Sequence, residues 1–285
     1  MAEWSEWPAP AKLNLFLHVV GRRADGYHLL QTVFQLLDWG DRVRLRARED
    51  GRVVRVSGLA AIPPERDLAV RAAIELRRAT GTELGADICV DKQIPIGGGL
   101  GGGSSDAATV LVALNEIWDT RLRKDELAHI GLQLGADVPV FVHGHSAWAE
   151  GVGEQLTAIE LAPRHYVVID PRVHVPTADL FQAAELTRNS PPLTITDYLA
   201  GADTSNVFAP VVRERYTPVA AALDWLQQYG AARLSGSGGC VFAAMDAATA
   251  QRAAQDCPEQ FAAYRANGVN RSPLHEALAG YRSNS

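Results

Sequence analysis

Between positions 95 and 106 the chain reads Pro-Ile-Gly-Gly-Gly-Leu-Gly-Gly-Gly-Ser-Ser-Asp, with six glycines in seven positions. Ordering Gly97, Gly98, Gly99, Gly101, Gly102 and Gly103 costs much conformational entropy, which a folded chain tolerates where backbone must approach a ligand closely. The loop runs into a predicted helix starting near Ser104. The first N–H groups of a helix have no internal partner and its dipole favours an anion there. The chemistry indicated is polyphosphate binding by the segment Pro95, Ile96, Gly97–Gly99, Leu100, Gly101–Gly103, Ser104 and Ser105. The two serine hydroxyls add donors that can reach a magnesium ion.

Several known phosphate loops do not fit. A Walker loop ends in Gly-Lys-Ser/Thr, and here Gly103 is followed directly by Ser104. A literal G-x-G-x-x-G can be read from Gly97 to Gly102, but so many glycines satisfy almost any glycine pattern. The dinucleotide version expects a continuous apolar strand beforehand, whereas residues 86–92 alternate with polar ones. The protein-kinase version needs H-R-D and D-F-G, and neither occurs.

A phosphate donor needs an acceptor whose hydroxyl loses a proton. Asp137, in Gly135-Ala136-Asp137-Val138-Pro139, is a candidate general base. The glycine before it and the proline after it suggest a fixed turn, with Pro139 biasing Val138 away from helix. The same aspartate could instead cap a helix. Tyr27 and His28 follow a turn at Asp25-Gly26 and could line a site or simply close a hairpin. Ser235–Gly239 is a second glycine-rich turn, and His143 and His145 form an H-x-H with no third ligand apparent nearby.

These residues need elements to position them. Leu13, Leu15, Leu17 and Val19 alternate with Lys12, Asn14, Phe16 and His18, the pattern of a half-buried strand. On that pattern Lys12 lies on the polar, solvated face and Asn14 shares it. Two further strand-like runs flank Asp50-Gly51, residues 67–79 read as a helix with Leu68, Ala72, Ile74 and Leu76 apolar, and residues 86–92 as another alternating strand. Helices are expected from the glycine loop to about Trp118 and from Lys124 to Leu134, with Gly135 as C-cap. A strand at 165–170 precedes a Pro-, Thr- and Asp-rich stretch from Pro171 to Pro210, read as the changeover to a second domain. A helix near 217–229, a strand at 240–245 and a last helix near 247–256 complete the pattern. Strands and helices mix without strict βαβ alternation, which favours α+β.

The 285 residues have room for one large or two ordinary domains, with 47 % hydrophobic and 21 % charged residues. A net charge of −6 argues against a nucleic-acid binder. Cys89, Cys240 and Cys257 show no metal-ligand spacing and suggest a reducing, cytoplasmic setting. The first residues have neither a basic nor an apolar signal region, and no apolar run approaches 18 residues, so no membrane association is expected.

At the glycine loop the chain resembles the GHMP kinases, the family of galactokinase, homoserine kinase and mevalonate kinase. The likeness extends to P-A-P-A-K-L-N-L-F-L at 8–17, R-A-D-G-Y-H at 23–28, L-G-A-D-V-P-V-F at 134–141 and A-E-G-V-G-E at 149–154. It continues through S-G-S-G-G-C-V-F at 235–242 and G-V-N-R-S-P-L-H at 268–275, and so covers nearly the whole chain. These blocks are similar to one branch of the family, whose acceptor is a cytidine diphosphate sugar-alcohol of isoprenoid biosynthesis.

The resemblance implies an α+β, two-domain fold: an ATP-binding domain over 1–160 and a ferredoxin-like substrate domain over 161–285, with the site in the cleft between them. It implies ATP with Mg2+, transfer to the 2-hydroxyl of the sugar-alcohol, and a catalytic pair of Asp137 and Lys12. An ammonium beside the carboxylate would stabilise charge developing on substrate or phosphate. Asn14, Tyr27, His28, Phe34, Thr177 and Phe181 would form the substrate site, with His28 bonding the base and Phe181 stacking on it from the other side. The family's adenine-side N-L-x-x-R-A is here Asp67-Leu68-Ala69-Val70-Arg71-Ala72; aspartate lacks the amide donor, so a base contact from Asp67 is not expected. Two other readings stay open: a nucleotide sensor without catalysis, and a GHMP kinase for another small alcohol. Oligomeric state and metal ligands are not legible.

Overall fold

The structure, a computed structural model, describes residues 3–58 and 62–284. The first half of the chain forms strands β1 (Ser5–Arg22), β2 (His28–Arg48), β3 (Val53–Ser57) and β4 (Gly85–Asp91), with helix α1 (Leu68–Thr80) between the last two. Helices α2 (Gly102–Ile117), α3 (Lys124–Leu134) and α4 (Val138–His143) follow, then strands β5 (Ala147–Glu150) and β6 (Gln155–Ala158). The second half contains β7 (His165–Asp170), short helices α5 (Thr177–Gln182), α6 (Ile195–Leu199) and α7 (Ala209–Arg215), then α8 (Thr217–Leu226). It ends with β8 (Arg233–Leu234), β9 (Val241–Met245), α9 (Ala247–Gln255), β10 (Ala262–Val269) and α10 (Pro273–Asn284).

One core lies between α1–α4 and the sheet of β1, β2 and β4, around Leu36, Val43, Leu76, Leu111 and Phe141. A second lies between α7–α9 and the strands β7 and β9, around Val167, Phe208, Leu226 and Val241. The second sheet runs β10-β7-β9-β8 with every neighbouring pair antiparallel, the split βαββαβ order of a ferredoxin-like unit. The two sheets join where Gly268 and Val269 of β10 pair with Leu37 and Leu36 of β2. Helix α10 returns to the first core, where Leu274 and Leu278 are buried and Tyr281 packs on Trp7.

Four local expectations are corrected. The first strand is buried on both faces, because Lys12 and Leu17 donate backbone N–H bonds to Leu100 O and Ser205 O of segments that cover its free edge. Strand β4 is buried throughout except Asp91, and its one inward charge, Asp87, is held by Arg46 and Arg48. Ile74 on α1 is exposed, leaving Ala72 and Leu76 to face the core. Val138 opens a helix instead of avoiding one, since a proline in the first turn needs no hydrogen-bond partner for its missing N–H. Gly135 does occupy the C-cap of α3, but with extended backbone, φ 178°. Beyond α9 the chain adds β10 and α10, which the sequence reading did not anticipate.

Candidate active site

The glycine loop is held from behind by its own carbonyl groups. Gly97 O and Gly98 O accept from Gly239 and Cys240 N–H, at 3.3 and 3.1 Å. Gly99 O accepts from the Ser235 hydroxyl and the Lys12 ammonium, both at 3.0 Å, and Leu100 O from Lys12 N–H. The second glycine turn, Ser235–Gly239, is therefore the seat on which the first loop rests. Close approach demands glycine here: a Cβ on Gly99 would lie 2.0 Å from Ser235 O, and its φ is +78°.

With the carbonyls engaged on the protein side, the amides are left for a ligand. Gly101, at φ +76°, is the N-cap of α2 and offers no capping side chain. The N–H groups of Gly102, Gly103 and Ser104 have no hydrogen-bond partner among the described residues. They open on a cavity of about 300 Å³ lined by the loop from Pro95 through Ile96, Gly97, Gly98, Gly99, Leu100, Gly101, Gly102 and Gly103 to Ser104, and walled by Ile62, Leu68 and Val90. Ser105 departs from expectation. Its side chain is fully buried, its N–H bonds Gly101 O at 2.8 Å, and it lines neither this cavity nor the larger one beside it.

A second cavity, of about 1040 Å³, adjoins the first, and the two share Gly99, Gly101 and Ser104 as walls. Beside that junction the Lys12 ammonium lies 3.2 Å from Asp137 Oδ2 and 2.6 Å from Asn14 Oδ1, above the Phe34 ring at 5.3 Å. Lys12 is only 4 % exposed on its side chain, against 33 % for Asp137. It is thus no solvated surface group. Asp137 stands at the start of α4, yet its carboxylate makes no capping bond and faces the cavity. Asn14 is oriented in turn, its Nδ2 donating to Thr32 Oγ1 at 2.9 Å.

The far end of this cavity holds Tyr27, His28, Thr177 and Phe181. The His28 and Phe181 rings stack on each other with centroids 4.9 Å apart, so no base fits between them as they stand; their outer faces are what a base would meet. Phe181 is braced edge-on by Phe208. His28 Nε2 is buried with no partner, and burial, with Arg188 and Arg22 adding to it, lowers the ring's pKa. A neutral ring with one unused nitrogen is suited to a base edge. Tyr27 is 65 % exposed, at the mouth, and Thr177 shares a 2.8 Å hydrogen bond with Ser237.

Sequence reasoning missed the charges beneath the loop. Lys92 bridges Asp41 and Asp106, and Asp41 also accepts the Gln93 and Ile94 amides. Nothing in spacing marks these residues, which come from three separate segments. Asp67 caps α1 through Ala69 N–H and pairs with Arg55, so its carboxylate is already engaged. Among the described residues no group of three His, Cys, Asp or Glu is placed to hold a metal, and His143 and His145 form no such site. No described helix is long and apolar enough to cross a membrane.

Two family descriptions match this chain: the GHMP kinases N terminal domain over residues 67–145 and the GHMP kinases C terminal domain over 196–263. A protein of Halorhodospira halophila named 4-diphosphocytidyl-2-C-methyl-D-erythritol kinase is 58 % identical, with 98 % of both chains covered. The chain belongs to the GHMP kinase family. A Xanthomonas axonopodis pv. citri relative of the same name is 56 % identical over 96 % of this chain and 94 % of its own. A crystal structure of 4-(cytidine 5'-diphospho)-2C-methyl-D-erythritol kinase superimposes with a TM-score of 0.77 at 33 % identity, covering 93 % of this chain and all of that one. As a GHMP kinase the protein is an ATP-dependent phosphotransferase acting on an alcohol, with the two-domain fold of that family.

Proposed function

We propose that this GHMP kinase transfers the γ-phosphate of ATP to the 2-hydroxyl of 4-diphosphocytidyl-2-C-methyl-D-erythritol, a step of isopentenyl diphosphate synthesis by the methylerythritol phosphate route. The observation that carries this reading is the junction of the two cavities at Gly99, Gly101 and Ser104, with the Lys12–Asp137 pair beside it. A triphosphate against the open amides would end where an alcohol in the larger cavity begins. The names of the near full-length relatives supply the acceptor.

In this reading Asp137 takes the proton of the acceptor hydroxyl as its oxygen bonds to the γ-phosphorus and the β–γ bridging bond breaks, leaving ADP. Lys12 holds Asp137 in place and offsets the negative charge that develops between them. Asn14 orients the hydroxyl, and the amides of Gly102–Ser104 bind the phosphate oxygens. Mg2+ would neutralise the β- and γ-phosphates. The Ser104 hydroxyl at the junction is suited to hold it. The protein works in the cytoplasm on a soluble substrate. A smaller acceptor such as homoserine or mevalonate would leave the His28–Phe181 end without a role.

Titration with CDP tests the base end. CDP should bind at micromolar concentrations, raise the melting temperature and compete with the acceptor but not with ATP. No binding of CDP would contradict this assignment.

A further inference from the structure

The glycine loop needs more than its seat on Ser235–Gly239, because both of its ends must also be fixed. Its entry is residues 92–94, directly after β4, and its exit is the first turn of α2. Asp41 on β2 is 1 % exposed and holds the entry: its Oδ1 accepts from Gln93 N at 2.5 Å and Ile94 N at 2.7 Å, and its Oδ2 pairs with the Lys92 ammonium. That ammonium also bonds Asp106 Oδ2 at 2.7 Å, inside α2, and lies 3.2 Å from where a Cβ on Gly102 would stand. One lysine at the loop's entry therefore ties that entry to the helix that ends the loop.

Resting on the nucleotide reading of the loop, we propose that Asp41, Lys92 and Asp106 are positioning residues that clamp its two ends at the separation a triphosphate requires. Three observations favour a positioning role over simple stabilisation. A buried ion pair contributes little net stability, because desolvation opposes the attraction. Two carboxylates face one ammonium, and Asp106 Oδ1 is buried without a partner, so the cluster is not arranged for maximal stability. The segment between the clamped ends carries six glycines, which by themselves leave it many backbone conformations.

Lys92 and Asp106 line the nucleotide cavity, but Asp41 does not, and this separates positioning from direct contact. The test is ATP affinity by titration, together with steady-state kinetics, on Lys92→Met, Lys92→Arg and Asp41→Asn. Lys92→Met and Asp41→Asn should each weaken ATP at least tenfold, affect ATP's KM far more than kcat, and leave the acceptor's KM unchanged. Lys92→Arg, which keeps both ion pairs, should return ATP affinity to within threefold of wild type. Loss of ATP affinity in Lys92→Met with wild-type affinity in Asp41→Asn would make Lys92 a direct contact and overturn the clamp. Unchanged affinity in both, with only a lower melting temperature, would overturn it as well. If Asp41→Asn does not fold, the near-isosteric Asp106→Asn takes its place, read by hydrogen exchange of the 97–104 amides. Faster exchange there than in wild type is expected, and wild-type exchange would overturn the proposal. Wild-type protein that binds no ATP would sink the nucleotide reading itself.

Discussion

A carboxylate 3.2 Å from an ammonium is ordinary on a protein surface and worth little there. Here the ammonium is buried and has three acceptors, Asp137, Asn14 Oδ1 and Gly99 O, so one side chain links the proposed base, the proposed alcohol site and the glycine loop. Asp137→Asn removes the proposed proton acceptor while keeping the shape. It should lower kcat by roughly 10²–10⁴ with ATP affinity little changed, measured in a coupled ADP assay. Lys12→Ala should lower turnover in a protein that stays folded by circular dichroism; a drop in melting temperature with wild-type turnover would make Lys12 structural. The local pattern misplaced Lys12 because its burial depends on Gly99 and Leu100, almost ninety residues away, and strand periodicity carries no information about such cover. Asp137 was legible as a candidate from its Gly-Ala-Asp-Val-Pro setting, but its partnership with Lys12 came from family resemblance alone.

Among the elements, the glycine loop with α2 and the helix α3 were readable, since glycine clusters and helical periodicity are local signals. Strand β10 escaped because Ala262–Val269 has weak alternation and includes Gly268, and α10 because Pro273–Asn284 has few large apolar residues and an internal Gly280 that blur its helical period. The docking of the two glycine turns gives one prediction. Left-handed backbone costs an alanine roughly 1–2 kcal/mol, and the Ser235 carbonyl blocks its methyl group. Gly99→Ala should therefore displace the loop and weaken ATP binding together with kcat, while Gly81→Ala, at a helix end with open space around it, should leave both unchanged. Helix α10 gives another. His275 is 6 % exposed with Nε2 on Val142 O at 2.9 Å, and burial, with Lys124 adding to it, lowers its pKa to about 4. The folded state thus resists a proton that the unfolded chain accepts from about pH 6.5 downward. Stability should be full above pH 6.5 and fall as pH drops to about 4, by up to about 3 kcal/mol. Urea unfolding of wild type and His275→Gln across this range checks it; equal slopes for the two would contradict it.

At the scale of the whole molecule, the two halves share one sheet through the short β10–β2 contact, and the site lies where their loops meet. The first half supplies Lys12, Asn14, the glycine loop and Asp137. The second supplies the Ser235–Gly239 seat and the Thr177–Phe181 wall. Composition and periodicity indicated α+β but not this division of labour, because a cleft between halves leaves no repeating signature in either. It also explains why a cavity of about 1040 Å³ is available for an acceptor much larger than homoserine or mevalonate. The most direct measurement is ADP release by purified protein with ATP and Mg2+, in parallel with 4-diphosphocytidyl-2-C-methyl-D-erythritol, mevalonate, homoserine and no acceptor. One ADP per molecule of the cytidine diphosphate acceptor, and only background with the others, is the expected result. Equal release with mevalonate or homoserine, or none with the cytidine compound, would contradict the assigned reaction.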